Sequence, residues 1–393
     1  MRFRHSDGTT VHLAYCANVH PADDLAGVLA QLDQYAEPTR VHLGTDRLGL
    51  GLWLAREVAT ALVEDPTELA RLRRELTVRG LEVVTLNGFP YSGFGDPVVK
   101  YRVYRPDWSE PERLAYTTDL AKILIGLLPD DAARASISTL PLGWRTRLTE
   151  PGWYDAVARN IAALDDSLTW LSDMIGRPVR VAFEPEPGCV IESTGEAVEH
   201  LGRFASEHVG LCLDACHLAV AHEDPRAALA SLAAAGIEVV KLQASAALTA
   251  ADPRSPETAG ALAGYAEPRF LHQTREPSAS GVHGTDDLAD AVAAVDDLPG
   301  DEPWRIHFHV PLHRELPAPL GSTAPILSQT LDALFGGPRA LTDHIEVETY
   351  TWPVLPGADP ADLPASIAGE LAWTARALTG LGMTDLGSKE TAS

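Results

Sequence analysis

Short runs of β-branched and aliphatic residues recur along this chain, each followed by a longer Ala- and Leu-rich stretch with helical spacing. This alternation constrains the fold more than any other feature. A strand can pair in parallel with the next only through a crossover, and a helix is the usual one. Strands are expected at 11–16, 40–45, 81–86, 134–139, 179–184, 209–214, 238–243 and 345–349, with a further candidate at 304–310. Nine candidates compete for eight barrel places, and 304–310 reads as an extra strand in the connection before the last. Most runs are apolar nearly throughout, as strands covered on both faces must be. Helices are expected at 22–35, 56–79, 112–127, 152–175, 195–208, 224–234, 324–335 and 364–378. Thr194 stands as an N-cap, and Gly80, Gly176 and Gly236 close three helices. Residues 249–287, rich in Ala, Pro, Ser and Gly, read as a long surface loop placed to serve as a lid. Residues 387–393 read as a frayed tail. The expected fold is therefore a single α/β domain over 1–393, a (β/α)8 barrel with a long insertion before its last strand.

Composition narrows the function classes. Hydrophobic residues make up 45 % of the 393, enough for a large core, yet no run of about 18 apolar residues appears, so no membrane insertion is expected. The N-terminus lacks the apolar stretch of a signal peptide. Cys16, Cys189, Cys212 and Cys216 form no zinc-like pair and are too few for a disulfide scaffold, which fits a reducing, cytoplasmic setting. A net charge of −24 argues against nucleic acid as a partner, because phosphate binding needs clustered Lys and Arg. The expected partner is a small molecule, and assembly into a homo-oligomer is left open.

The polar residues collect at the C-terminal ends of the expected strands, where barrel active sites are assembled. Glu184 and Glu186 follow one apolar run, separated by Pro185 and followed by Pro187, which hold the chain extended. Glu184 directly abuts the run, where an unpaired carboxylate is costly. Asp214 ends another strand and His217 follows in the turn; carboxylate plus imidazole suits a borderline divalent ion, although a plain hydrogen bond between them would look the same. Gln243 ends a third strand and offers a neutral oxygen, as a ligand or as a structural hydrogen-bonding group. His307 and His309 share one face of their run. Glu346 and Glu348 also share a face: Glu348, nearer the strand end, is the better ligand, and Glu346 could pair with an arginine inside the barrel. Asn18, His20, Asn87, the stretch 100–108, His272, Gln273 and Arg275 are further candidates for substrate contact or for loop packing.

With Glu184, Asp214-x-x-His217 and Glu348 at three strand ends, the chain resembles the xylose-isomerase-like barrel superfamily of sugar isomerases and epimerases. More narrowly, Tyr15–His20, Leu86–Pro90, Val99–Trp108, Ser138–Trp144, Glu184–Gly188, Leu213–His217 and His309–Glu315 resemble the EboE-like "metabolite traffic" family. The superfamily resemblance implies one divalent metal ion (Mn, Zn, Co or Mg) on Glu184, Asp214, Gln243 and Glu348, with Glu184 and Glu348 as catalytic base and acid. Substrate contacts would then fall among His20, Asn87, Glu186, His217, His272, Arg275, His307 and His309. The third ligand position carries His in the resembled enzymes and Gln243 here; His309, His307 or His272 could supply the missing nitrogen. The EboE resemblance implies a cyclitol or other sugar-derived substrate. The reading is metal-dependent isomerisation or epimerisation of a polyhydroxylated molecule by proton transfer at a carbon next to a carbonyl. The alternatives are metal-dependent hydrolase or lyase chemistry and a non-catalytic metabolite-binding role.

Overall fold

Each apolar run that follows a helix joins its neighbour in parallel, and the pairing registers bring the C-terminal ends of the strands to one rim. The computed structural model describes residues 1–293 and 298–387. Among these, eight strands form a closed barrel: β1 (Thr10–Cys16), β2 (Leu48–Trp53), β3 (in two pieces, Leu81–Glu82 and Thr85–Asn87), β4 (Ala135–Thr139), β5 (Val179–Phe183), β6 (Val209–Asp214), β7 (Val239–Ala244) and β8 (His344–Val347). Neighbours pair in parallel around the ring, and β8 closes it on β1. Helices wrap the outside. Trp153–Ile175 shows why: Trp153, Val157, Ile161, Leu164, Leu168 and Leu171 recur at helical spacing and are the residues it buries. Gly176 ends this helix in the left-handed conformation expected of it, and Gly80 and Gly236 adopt the same conformation two residues past the ends of their helices. The N-cap expected at Thr194 is Ser193, which exchanges hydrogen bonds with Glu196 in a capping box.

The second barrel strand is not where the sequence pattern places it. Residues 40–45 lie in and just beyond the helix Glu37–Leu43, and the strand is Leu48–Trp53. Its alternating glycines read as loop residues from sequence, yet packing demands them. A Cβ on Gly49 would meet the Leu13 carbonyl oxygen at 2.5 Å, and one on Gly51 would stand 1.3 Å from Glu346 Oε1. Glu346 occupies the barrel interior, where Lys241 Nζ pairs with its Oε2 at 2.5 Å and both side chains are fully buried. The interior partner of Glu346 is therefore a lysine on the neighbouring strand, not an arginine.

The stretch 249–287 is not an irregular loop. It carries the second half of Ala247–Ala250, the helix Pro256–Leu262 and the strands Thr274–Ser278 and Gly281–Thr285. With Trp304–His309 and Leu320–Ser322 these strands build a second, antiparallel five-stranded sheet. Trp304–His309, the ninth candidate strand, belongs to this sheet and lies outside the barrel. Its even-numbered residues on the core side explain the fold-back: Trp304, Ile306 and Phe308 are all buried, with Tyr265 packed edge-on against Phe308. The expected tail lies, from residue 388 onward, outside the described residues. No helix among the described residues is long and apolar enough to cross a membrane.

Gly51→Ala should therefore push Glu346 off Lys241 and destabilise the protein by about 3–5 kcal/mol, the cost of breaking a buried ion pair. Gly260→Ala, in a helix where a Cβ meets nothing within 4 Å, should be neutral or slightly stabilising. Urea unfolding of the two variants checks the contrast; equal effects would contradict the packing argument.

Candidate active site and metal centre

The strands β5, β6 and β8 each end in a carboxylate. Glu184 follows Phe183, Asp214 is the last residue of β6, and Glu348 follows Val347. Ligand oxygens of all three lie within 4.8 Å of one another, and none of the three residues is more than 5 % exposed. Asp214 also caps the short helix Ala215–Val220. Its Oδ1 accepts from the His217 backbone N–H and the Ser245 hydroxyl, both at 2.8 Å, which leaves Oδ2 buried and without a partner. Glu184 Oε2 is orphaned in the same way. Glu348 Oε1 accepts from Asn18 Nδ2 at 2.7 Å and Asn87 Nδ2 at 3.1 Å.

Burial, and then the charges of Glu348 and Asp214, push the Glu184 carboxyl well above its usual range. Burial, and then Asp214 and Glu346, raise Glu348 to about 8. Carboxylates this close cannot all stay ionised unless a positive charge or protons compensate them. Buried atoms at the site without a hydrogen-bond partner include Glu184 Oε2, Asp214 Oδ2, Asn18 Oδ1, both amide atoms of Gln243, and His309 Nε2. An oxygen-rich set with one imidazole suits a divalent ion such as Mg, Mn, Co or Zn, so the residues present fit the metal expected from sequence. Gln243 is fully buried and stands in register with Asp214 on one side and Glu346 on the other.

Above this floor stand the histidines. His217 Nδ1 lies 2.8 Å from the Pro185 carbonyl, so it carries the proton and Nε2 is left as an acceptor. The Gln273 amide donates to the Tyr104 hydroxyl and the Pro187 carbonyl, which turns its oxygen toward His307 Nδ1 at 2.7 Å. His307 is thus also protonated on Nδ1, and the two Nε2 atoms face each other at 3.0 Å. Glu186 accepts from the Tyr104 hydroxyl at 2.6 Å, and burial raises its carboxyl to about 7.

A cleft of about 520 Å³ opens over the carboxylates. Asn87, Glu184, Glu186, His217, His307, His309 and Glu348 line it, as the sequence reading placed them. Three predicted contacts do not line it. His20 hydrogen-bonds Tyr15 and stacks on Tyr35, 4.8 Å between ring centres. His272 spends one nitrogen on the His307 carbonyl and the other on Glu267. Arg275 is held by Glu192 and by backbone carbonyls of the inserted sheet. Sequence reasoning missed the apolar wall: Phe94, Val99, Phe270, Leu271 and Tyr350 join Phe89 around the cleft. Apolar residues within polar loops were the available signal.

Comparison with known proteins follows from this geometry. A family model for the xylose isomerase-like TIM barrel matches residues 49–296, well over half of the chain. The chain belongs to this family. No curated protein matches it. Solved structures of similar fold include a xylose isomerase-like TIM barrel protein from Mycobacterium smegmatis in complex with magnesium, with 12% identity, coverage of 94% of this chain and 97% of that one, and a TM-score of 0.50. A D-psicose 3-epimerase from Clostridium cellulolyticum with D-tagatose has 14% identity over 93% and 99% of the two chains, TM-score 0.49. A xylose isomerase domain protein from Planctomyces limnophilus has 14% identity over 87% and 90%, TM-score 0.48. At these identities the likeness concerns the fold alone.

Glu370 fixes the segment that carries Glu348. It accepts from the Thr349 hydroxyl at 2.6 Å, Trp352 Nε1 at 2.8 Å and the Leu312 backbone at 3.2 Å. Burial raises its carboxyl to about 7 despite these bonds. A carboxyl that holds its proton more tightly in the folded state contributes stability in full below its unfolded pKa, and that contribution is lost as pH rises from about 4.5 through about 7. Glu370→Gln should therefore remove about 3 kcal/mol of pH dependence across that window. Urea unfolding at pH 5 and pH 8 reads the effect; an unchanged slope would contradict it.

Proposed function

We propose that the protein is a metal-dependent isomerase or epimerase of a sugar- or cyclitol-like polyhydroxylated small molecule. The observation that supports this most is the convergence of three buried carboxylates, two with orphaned oxygens, of which Glu184 and Glu348 line a cleft with an aromatic wall. Glu184, Asp214 and Glu348 would hold the ion, with Gln243 beside them. When bound, a divalent ion supplies Lewis-acid polarisation of a substrate carbonyl.

Glu184 and Glu348 come from different strands and both bind protons more tightly than a free carboxylate. One takes a proton from the carbon next to the carbonyl and the other delivers a proton. Delivery to the former carbonyl carbon, with a proton passing from the adjacent hydroxyl oxygen to the former carbonyl oxygen, gives isomerisation. Delivery to the opposite face of the carbon that lost the proton gives epimerisation. Glu186, His217 and His307 line the cleft with groups suited to hydroxyls, and Asn18 and Asn87 orient Glu348. Phe89, Phe94, Phe270 and Tyr350 offer ring faces to the C–H side of a cyclic polyol. The EboE-like sequence resemblance makes a cyclitol the first substrate class to try, and a cytoplasmic setting fits the four free cysteines.

One observation favours a second reading, metal-dependent hydrolysis within the same superfamily. His217 and His307 turn two nitrogen lone pairs toward each other at 3.0 Å, an arrangement that a further ion would relieve. Two or three ions per chain would favour that chemistry.

Solvent-deuterium exchange tests the main reading. Incubated in D2O with ketoses and cyclitol ketones, the metal-loaded wild type should incorporate deuterium at the carbon next to the carbonyl. Glu184→Gln and Glu348→Gln should slow this by at least about 100-fold. Undiminished exchange in Glu184→Gln, with metal retained, would remove the proton-transfer role.

A further inference from the structure

Resting on the metal reading above, we infer that the nitrogen ligand of the centre is His309, delivered by the inserted strand Trp304–His309. Gln243, at the end of β7, leaves the barrel itself without an imidazole where the resembled enzymes carry one. The inserted sheet replaces it from the other side.

Four observations carry this assignment. His309 Nδ1 lies 2.8 Å from the Glu348 backbone carbonyl, which can only accept, so the proton sits on Nδ1 and the Nε2 lone pair is free. This is the usual arrangement of a metal-binding histidine, whose other ring nitrogen is fixed by a carbonyl or carboxylate. Nε2 is buried and has no hydrogen-bond partner. It stands 4.0 Å from Asp214 Oδ2, which is also without a partner. Two ligands about 2.0–2.2 Å from one ion lie at most about 4.4 Å apart, so an ion fits between them. Finally, Asp214 belongs both to the carboxylate trio and to a second compact group with His217 and His309, so an ion on Asp214 is within reach of both sets.

The other histidines are placed differently. His217 and His307 turn their Nε2 atoms toward each other at 3.0 Å, and His272 uses both nitrogens on the His307 carbonyl and Glu267. The inserted strand is also anchored on both sides of the site. Val310 N–H donates to the Ala246 carbonyl at 2.9 Å, just past β7, and the Thr351 hydroxyl donates to the His309 carbonyl, just past β8. The imidazole is thus fixed relative to Asp214 and Glu348 at once. An imidazole in the set favours Mn, Co or Zn over Mg, which prefers oxygen ligands.

The test uses full-length protein, stripped of metal and reloaded with Mn2+, and reads binding affinity together with pulsed-EPR coupling to 14N. The wild type should show a directly bound imidazole nitrogen. His309→Gln should abolish that coupling and weaken Mn2+ by more than the 10–100-fold typical of groups outside the coordination shell. Adding Gln243→His to His309→Gln should restore both. His217→Gln and His307→Gln should each keep the coupling, a readout that stands even if His309→Gln fails to fold. Mn2+ binding without nitrogen coupling, coupling that survives His309→Gln, or coupling lost in His217→Gln or His307→Gln would overturn the assignment and leave the metal reading in place. A wild type that binds no Mn2+ would overturn both.

Discussion

Burying several carboxylates side by side is the constraint around which this barrel is built. Glu184, Asp214, Glu346 and Glu348 are each almost or wholly excluded from solvent near one end of the strands. An isolated carboxylate in such a place would cost several kcal/mol, and neighbouring like charges add to it. The chain answers in two ways. Glu346 is neutralised by Lys241, and β2 gives up a side chain at Gly51 to make room for it. The other three are only partly satisfied by the protein. Asn18 and Asn87 hold Glu348, and Ser245 and the His217 backbone hold Asp214, while the inward oxygens of Glu184 and Asp214 have no protein partner. That asymmetry is what a cation-binding centre requires.

The second sheet is part of the same solution. It leaves the barrel after β7, returns before β8, and its strand Trp304–His309 bonds to the chain just beyond both. It brings His307 and His309 to the rim, and the segment before it supplies Phe270 and Leu271 to the cleft. The helical turn Lys100–Tyr104 meets that segment, with Val99 and Lys100 N–H groups donating to the Arg269 carbonyl. Floor, wall and cover are therefore joined by backbone hydrogen bonds rather than by side chains alone. This favours a rigid site in which the distances between the candidate ligand atoms are set before any ligand arrives.

Much of this was legible in the sequence because buried parallel strands leave a strong mark: an apolar run that stops at a polar residue. Seven of the eight barrel strands were found in this way, together with Glu184, Asp214, Gln243 and Glu348 at their ends. Leu48–Trp53 was missed because its glycines resemble a loop, and the reason for them, contact with Leu13 and Glu346, exists only in three dimensions. The inserted sheet was hidden by a composition poor in β-branched residues. His20, His272 and Arg275 were plausible contacts by residue type, but His272 and Arg275 have spent their polar atoms on the fold, and His20 bonds Tyr15 and stacks on Tyr35 instead of lining the cleft. Which histidine keeps a free nitrogen depends on the partner of the other ring nitrogen, and no local pattern encodes that.

Elemental analysis of the protein purified without added metal, beside Asp214→Ala, tests the central claim most directly. The account predicts about one equivalent of divalent metal per wild-type chain and none in the variant, since Asp214 is shared by the carboxylate group with Glu184 and Glu348 and the group with His217 and His309. A wild type that stays empty even after metal is supplied would contradict it, and the buried carboxylates would then have to be compensated by protons alone.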